Sequence, residues 1–170
     1  MLARFIHVSF AAMAFCLLAG CGTMTAPNSL ATPVGSYAVP SPAFSPRPAL
    51  GVALLLFGGH DHGVFLGCLN CSKYDSGSVW NKYGDHGSRY SDTSIWNRYG
   101  TYGSKYSDES PWNPYAQNPP VVVDHDGNFY GYFTANRYFQ KRTTIPSLLK
   151  LLDNYDTITE NLDDVIDSMR

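Results

Sequence analysis

Ser72-Lys-Tyr-Asp-Ser-Gly-Ser-Val-Trp-Asn-Lys-Tyr-Gly-Asp-His-Gly87 is followed at once by Ser88-Arg-Tyr-Ser-Asp-Thr-Ser-Ile-Trp-Asn-Arg-Tyr-Gly-Thr-Tyr-Gly103. A third copy, Ser104-Lys-Tyr-Ser-Asp-Glu-Ser-Pro-Trp-Asn-Pro-Tyr-Ala-Gln-Asn-Pro119, completes the run. Trp80, Trp96 and Trp112 fall sixteen residues apart, as do Asn81, Asn97 and Asn113. Two tyrosine series share the spacing: Tyr74, Tyr90, Tyr106 and Tyr83, Tyr99, Tyr115. Self-similarity at a fixed period marks a stacked repeat, in which each unit buries its apolar face only against its neighbours.

Within a unit, Ser78, Ser94 and Ser110 stand where a helix N-cap would, and Pro111 takes the first helical position that proline favours. Val79, Trp80 and Tyr83 share one face of a short helical turn, and Gly84 and Gly100 follow as stops. Pro114, Ala116 and Pro119 break the pattern in the last copy, as a terminal unit should. The expectation is a stack of short helical turns with aromatic ladders. Those ladders have two readings. In the first, Trp80, Trp96, Trp112, Tyr83, Tyr99 and Tyr115 form the core between units. In the second they form an exposed platform that stacks on sugar rings or extended peptides, with Asn81, Asn97 and Asn113 donating. The asparagines also have a plainer role, bonding the backbone of their own turns.

Working outward, residues 50–57 are apolar, Gly58-Gly-His-Asp-His-Gly63 is a turn-forming cluster, and residues 64–69 are apolar again. Val121-Val-Val123, Asp124-His-Asp-Gly127 and residues 128–133 repeat that arrangement. Each predicts a β-hairpin. Gly63-Val-Phe-Leu-Gly67 resembles Gly127-Asn-Phe-Tyr-Gly131, which suggests that both second strands need a glycine for close approach. The block over residues 63–136 resembles repeats in hypothetical bacterial proteins that carry Leu-Gly-Cys-Leu-Asn-Cys ahead of Tyr/Ser/Trp-Asn units. That resemblance implies a shared module and no activity.

Downstream, Leu148, Leu151, Tyr155, Ile158, Leu162, Val165 and Met169 alternate three and four apart after Pro146, with Glu160, Asp163, Asp164 and Asp167 on the other face. This predicts an amphipathic helix, interrupted near Asn154, packed on its own domain or, as the alternative, on another copy of the chain or a partner helix. Fold class is thus α+β: a small single domain with two hairpins, three aromatic repeats of sixteen residues (72–87, 88–103, 104–119) and a C-terminal amphipathic helix. Residues 50–143 make the repeat-containing domain and 144–170 the helical segment.

Upstream, Arg4 precedes an apolar run over residues 8–18 that ends in Leu18-Ala-Gly-Cys21. The run is too short to span a bilayer and fits a signal peptide over residues 1–20. Its ending resembles the lipobox of bacterial lipoproteins, which implies diacylglycerol attached to Cys21 and cleavage before it, with membrane anchoring by acyl chains alone. The expected location is the bacterial cell envelope. In a host with two membranes, Gly22 lacks the aspartate of an inner-membrane signal, so the outer membrane facing the periplasm is expected. Residues 21–49 hold Pro27, Pro33, Pro40, Pro42, Pro46 and Pro48 among small residues and predict a tether with a span on the order of 30 Å.

Chemistry-bearing motifs are sparse. Cys68 and Cys71 form C-x-x-C with His60 and His62 upstream. A structural disulfide suits an exported chain; zinc held with the two histidines, free thiols and thiol redox stay open beside it. Asp124-His-Asp-Gly-Asn128 opens like a calcium loop, but Phe129 and Ala135 stand where an EF-hand needs glycine and glutamate, so a turn is expected. No hydrolase, zincin or phosphate-loop motif occurs. A net charge of −2 argues against nucleic acid. The reading is a non-enzymatic, membrane-anchored envelope lipoprotein, a binding or structural module for a glycan, peptide or protein partner, without a cofactor. The competing class is a metal or thiol-redox protein.

Overall fold

The computed structural model describes Phe44, Pro48 and residues 50–169. The signal peptide, Cys21 and nearly all of the tether lie outside the described residues. Phe44, within the expected tether, packs on Phe129 with ring centroids 5.9 Å apart. Among the described residues no helix is long and apolar enough to cross a membrane.

Four strands form one antiparallel sheet: β1 (Leu55–Gly58), β2 (Val64–Cys68), β3 (Val121–Val123) and β4 (Phe129–Tyr132), in the order β2-β1-β3-β4. The two expected hairpins therefore lie side by side, joined through β1 and β3. Each has a register shift at the same place: Leu56 pairs Gly67 and Phe57 pairs Phe65, while Val122 pairs Gly131 and Val123 pairs Phe129. Both glycines have positive φ, +119° and +104°. A Cβ on Gly67 would stand 2.8 Å from Val79 and His86, and one on Gly131 2.7 Å from the Thr143 backbone. The close approach expected at these two glycines is therefore present, for different neighbours.

The likeness continues past the strands. After β2, the Cys68 N–H donates to the Gly77 carbonyl and the Val79 N–H to Cys68; after β4, Tyr132 donates to Lys141 and Thr143 to Tyr132. Ser72-Lys-Tyr74 and Asn136-Arg-Tyr138 occupy the same place in these two loops, and each opens a turn closed three residues on, at Asp75 and Phe139. The chain thus uses one strand–turn–strand–loop unit twice, with the repeats inserted between.

The repeats themselves hold no helix. They are a chain of β-turns. N–H groups of Asp75, Ser78, Asn81 and Gly84 donate in succession to the carbonyls of Ser72, Asp75, Ser78 and Asn81. At the head of each turn a side-chain oxygen accepts the N–H two residues on: Ser72 from Tyr74 (3.4 Å), Asp75 from Gly77 (2.8 Å), Ser78 from Trp80 (3.1 Å) and Asn81 from Tyr83 (3.1 Å). Side chains that bond the backbone locally compete with helix propagation, and here one recurs every third residue. The serines cap, as expected, but they cap turns rather than helices.

Stacking of these coils builds the core. Trp80, Trp96 and Trp112 form a column with centroids 5.2 and 5.5 Å apart. Their indole N–H groups donate back to the carbonyls of Leu69, Val79 and Ile95 (2.8, 2.6 and 2.6 Å), so each buried indole donor is satisfied. Three helical pieces, α1 (Pro146–Asp153), α2 (Tyr155–Glu160) and α3 (Leu162–Ser168), bury Leu148, Leu151, Leu152, Tyr155, Leu162 and Ile166 against the same core. Tyr155 stacks on Trp112 at 4.2 Å, and its hydroxyl donates to the Gly103 carbonyl. The helix is broken at Asn154, as expected, and again at Asn161. At both, the side-chain amide bonds the carbonyl four residues back (Lys150 and Thr157). Leu148, Leu151, Tyr155, Leu162 and Ile166 of its apolar face are buried in its own domain, while Ile158, Val165 and Met169 are half-buried at its edge.

Candidate ligand-binding face

The aromatic series divide by depth. Trp80, Trp96 and Trp112 are 9%, 1% and 3% exposed, whereas Tyr83, Tyr99 and Tyr115 are 89%, 98% and 79% exposed. The platform reading is therefore wrong for the tryptophans, which are core, and the core reading is wrong for the tyrosines. Tyr74, Tyr90 and Tyr106 also stand in solvent, at 83%, 89% and 94%. The asparagines bond the backbone of their own turns. Asn97 donates to the Ser91 carbonyl and accepts from the Tyr99 N–H, both at 3.1 Å, and Asn81 and Asn113 repeat this. Their amides are consumed in fixing the turn that presents each tyrosine.

One tyrosine was missed. Tyr138 is 97% exposed, and its N–H donates to Asn136 Oδ1 (3.1 Å) as Tyr99 does to Asn97. The signal was the tripeptide Asn136-Arg-Tyr138, a copy of Asn97-Arg-Tyr99 outside the sixteen-residue frame. Conversely, Tyr102 shares the repeats but not the exposure: it is half-buried, and burial raises its hydroxyl pKa.

A basic residue precedes nearly every exposed tyrosine, and the acidic face of the helix meets those cations. Lys82 pairs with Asp167 (2.9 Å), Arg89 with Asp163 (3.5 Å), Lys105 with Asp156, and Arg137 with Asp153 (3.3 Å). Lys73 and Arg89 also donate to helix carbonyls, at Ile166 and Thr159 (both 3.0 Å). Arg98 makes no ion pair among the described residues.

The rows line a series of notches, three of them floored by the helix. Tyr74 and Tyr83 wall one of about 490 Å³ with Asp167 beside them. Tyr83 and Tyr90 wall the next, about 310 Å³, over Leu162 and Asp163. Tyr99 and Tyr106 wall a third, about 260 Å³, over Lys105 and Tyr155. Tyr115 and Tyr138 wall a fourth, about 410 Å³, with Arg137. An apolar recess of about 400 Å³ between Leu54, Leu69, Leu148, Leu151 and Ile158 presents none of these tyrosines.

The other candidate chemistry lies apart from this face. Cys68 and Cys71 are joined as a disulfide, with Cα atoms 5.5 Å apart. His60 and His62 sit in the first hairpin turn, His60 exposed and His62 half-buried, where burial lowers the His62 pKa. Among the described residues no three His, Cys, Asp or Glu side chains come together to hold a metal. The zinc arrangement of His60 and His62 with Cys68 and Cys71 therefore has no geometry behind it. Asp124 is a turn organiser: the Asn128 amide and Tyr130 hydroxyl donate to Oδ2 (both 2.8 Å), and the Asp126 and Asn128 N–H groups to Oδ1 (both 2.9 Å). These bonds, led by that of the Asn128 side chain, hold its carboxyl down at about 2; burial and the same carboxylate push the Tyr130 hydroxyl up to about 12.

No protein-family model, curated protein or solved structure matches this chain.

Proposed function

We propose that this protein is a non-enzymatic binding module of the bacterial cell envelope, held to a membrane by acyl chains on Cys21, whose rows of tyrosines engage an extended ligand. One observation carries this reading: seven tyrosines stand 79–98% exposed on hydrogen-bonded turns, six of them at two positions of the sixteen-residue repeat. Single surface aromatics need no explanation, but a contiguous row of them marks an interaction surface. A tyrosine ring offers a flat apolar face at little entropic cost, plus a hydroxyl for polar contacts. The buried tryptophan column supports the reading from beneath, because it holds the turns that aim the rings. A thiol-redox role has less support: Cys68 is buried and only Cys71 is half-exposed, and the motif opens no helix, where thiolates are stabilised.

The test is cosedimentation of the full chain with an isolated cell-envelope fraction. With the acyl anchor removed from both proteins, replacing Tyr83, Tyr90, Tyr99 and Tyr106 with serine should abolish the retention shown by the unsubstituted chain while the far-UV spectrum stays unchanged. Undiminished retention of that variant, once its acyl anchor is removed, would sink the proposal. Intact mass of the membrane-extracted protein tests the anchor: acyl mass on a chain beginning at Cys21 supports it, and an unmodified Cys21 removes it.

A further inference from the structure

We infer that the outer face of the sheet at β4 is a docking site for the chain's own proline-rich segment, which lays Phe44 along the edge of β4 as a parallel strand residue. The segment through Phe44 then belongs to the folded domain, and the free tether ends before it. This inference is independent of the tyrosine rows and goes beyond them.

Three observations carry it. First, the sheet has apolar side chains on both faces. Leu56, Leu66, Val122 and Tyr130 belong to the core with the tryptophan column and the helices. Leu55, Phe57, Phe65, Val123, Phe129 and Tyr132 lie on the other face, half-buried and outside that core. An antiparallel sheet with one face in water ordinarily alternates apolar with polar residues. This sheet does not, so its second face calls for cover of its own.

Second, the duplicated unit shows where cover is due. Phe65 and Phe129 are the equivalent residues of Gly63-Val-Phe-Leu-Gly67 and Gly127-Asn-Phe-Tyr-Gly131. After the first hairpin the chain enters the repeats, and His86 of the first repeat sets its ring edge-on to Phe65, centroids 4.8 Å apart. The sixteen-residue repeats do not recur after the second hairpin. The ring that meets Phe129 comes from upstream instead: it is Phe44, with centroids 5.9 Å apart.

Third, Phe44 is held by its backbone as well as by its ring. It forms a parallel bridge with Phe129 on the outer edge of β4, the edge on which Tyr132 bridges Arg142. Together the two bridges occupy an edge that is otherwise open to pairing with other chains. The Phe44 ring also extends a run of contacts from Phe129 to Tyr132 (5.4 Å) and from Tyr132 to Phe139 (4.9 Å). Being parallel to β4, Phe44 is parallel to β1 too, since both strands run antiparallel to β3. A crossover between parallel strands takes about a dozen residues, and Leu55, where β1 begins, stands eleven residues after Phe44. The chain is thus long enough to dock on its own sheet. Proline suits such an edge, where an N–H need not be donated to a further strand, and Pro42 and Pro46 flank Phe44.

The experiment replaces Phe44 by the photoreactive p-benzoylphenylalanine in the full chain in detergent, irradiates it and maps the crosslinks by mass spectrometry. Mixing ordinary with isotope-labelled chains separates bonds within a chain from bonds between chains. Crosslinks within one chain to Phe129, Tyr132 or Phe139 are expected. Crosslinks between chains would overturn docking in cis and assign the face to a second copy; crosslinks elsewhere in the chain, or none, would remove the site. Hydrogen exchange gives the second readout. Phe44→Ser should speed exchange in β4 roughly two- to tenfold, the worth of one aromatic pair, and leave the coils over residues 72–119 unchanged. Phe44→Tyr should restore the protection. Unchanged exchange in β4, or equal acceleration in the coils, would overturn the inference whatever becomes of the tyrosine rows.

Discussion

Trp96 and Tyr99 lie three residues apart in one coil, recur at the same period and are held by the same kind of turn, yet one is 1% and the other 98% exposed. Each backbone N–H donates to the side chain heading its turn, Ser94 and Asn97 respectively. The difference is what meets them on leaving. Trp96 follows Ser94 and Ile95, both fully buried, finds a carbonyl of the previous coil for its indole N–H, and stacks between two further tryptophans. Tyr99 follows the exposed Arg98, and no strand or helix covers it. One turn along the chain therefore separates a residue that holds the fold from one free to serve binding. Period shows that a ladder exists; phase relative to the covering elements decides its use.

That contrast predicts unequal costs. Trp96→Ala should destabilise by ~3–5 kcal/mol, the usual loss for a large buried aromatic, read by urea denaturation. A loss below ~1 kcal/mol would mean that the column is not the core. Gly103→Ala tests the turn that links coils: a Cβ there would sit 2.2 Å from the Asn97 carbonyl oxygen, and overpacking of that kind typically costs ~1–3 kcal/mol or more. Asn97→Ala leaves the Tyr99 N–H and the Ser91 carbonyl without their partner and should cost ~1–3 kcal/mol. A neutral result would detach the asparagines from the turns. Smallest of all, Tyr99→Ala should change stability by no more than ~0.5 kcal/mol, as surface substitutions do. If it unfolds the chain, the division between column and rows fails.

The second hairpin supplies a test in pH. The Asp124 carboxyl is held at about 2 in the fold, below its ordinary 3.8. A depressed carboxylate stabilises above its unfolded value, and that contribution is lost as pH falls through the folded one. The native chain should therefore lose stability between pH 3.8 and about 2, and Asp124→Asn should flatten that stretch of the acid profile.

Much of this was legible along the chain. Two hairpins, three repeats, the amphipathic helix and its break at Asn154 follow from apolar periodicity, glycine placement and proline, all of which act over a few residues. The close-approach glycines, Gly67 and Gly131, showed as a short internal likeness. What misled was the serine before each tryptophan. Ser78-Val-Trp80 reads as a helix start, but the same hydroxyl and N–H close a β-turn equally well. The outcome depended on the next capping residue, Asn81, arriving before a second helical bond could form. Tyr138 stayed hidden because its unit belongs to the second hairpin rather than to the sixteen-residue frame.

By itself, then, the sequence determined that aromatic residues recur in register and that a serine and an asparagine able to bond nearby backbone flank each tryptophan, since both depend on local spacing. It also placed acidic residues on one face of a terminal helix. Only the tertiary structure decided which aromatics are core. The helix lays Tyr155 on Trp112 and matches Asp156, Asp163 and Asp167 to cations of successive repeats. These contacts join residues more than forty apart in sequence. No local pattern encodes them, because burial is set by what arrives from elsewhere in the chain to exclude water.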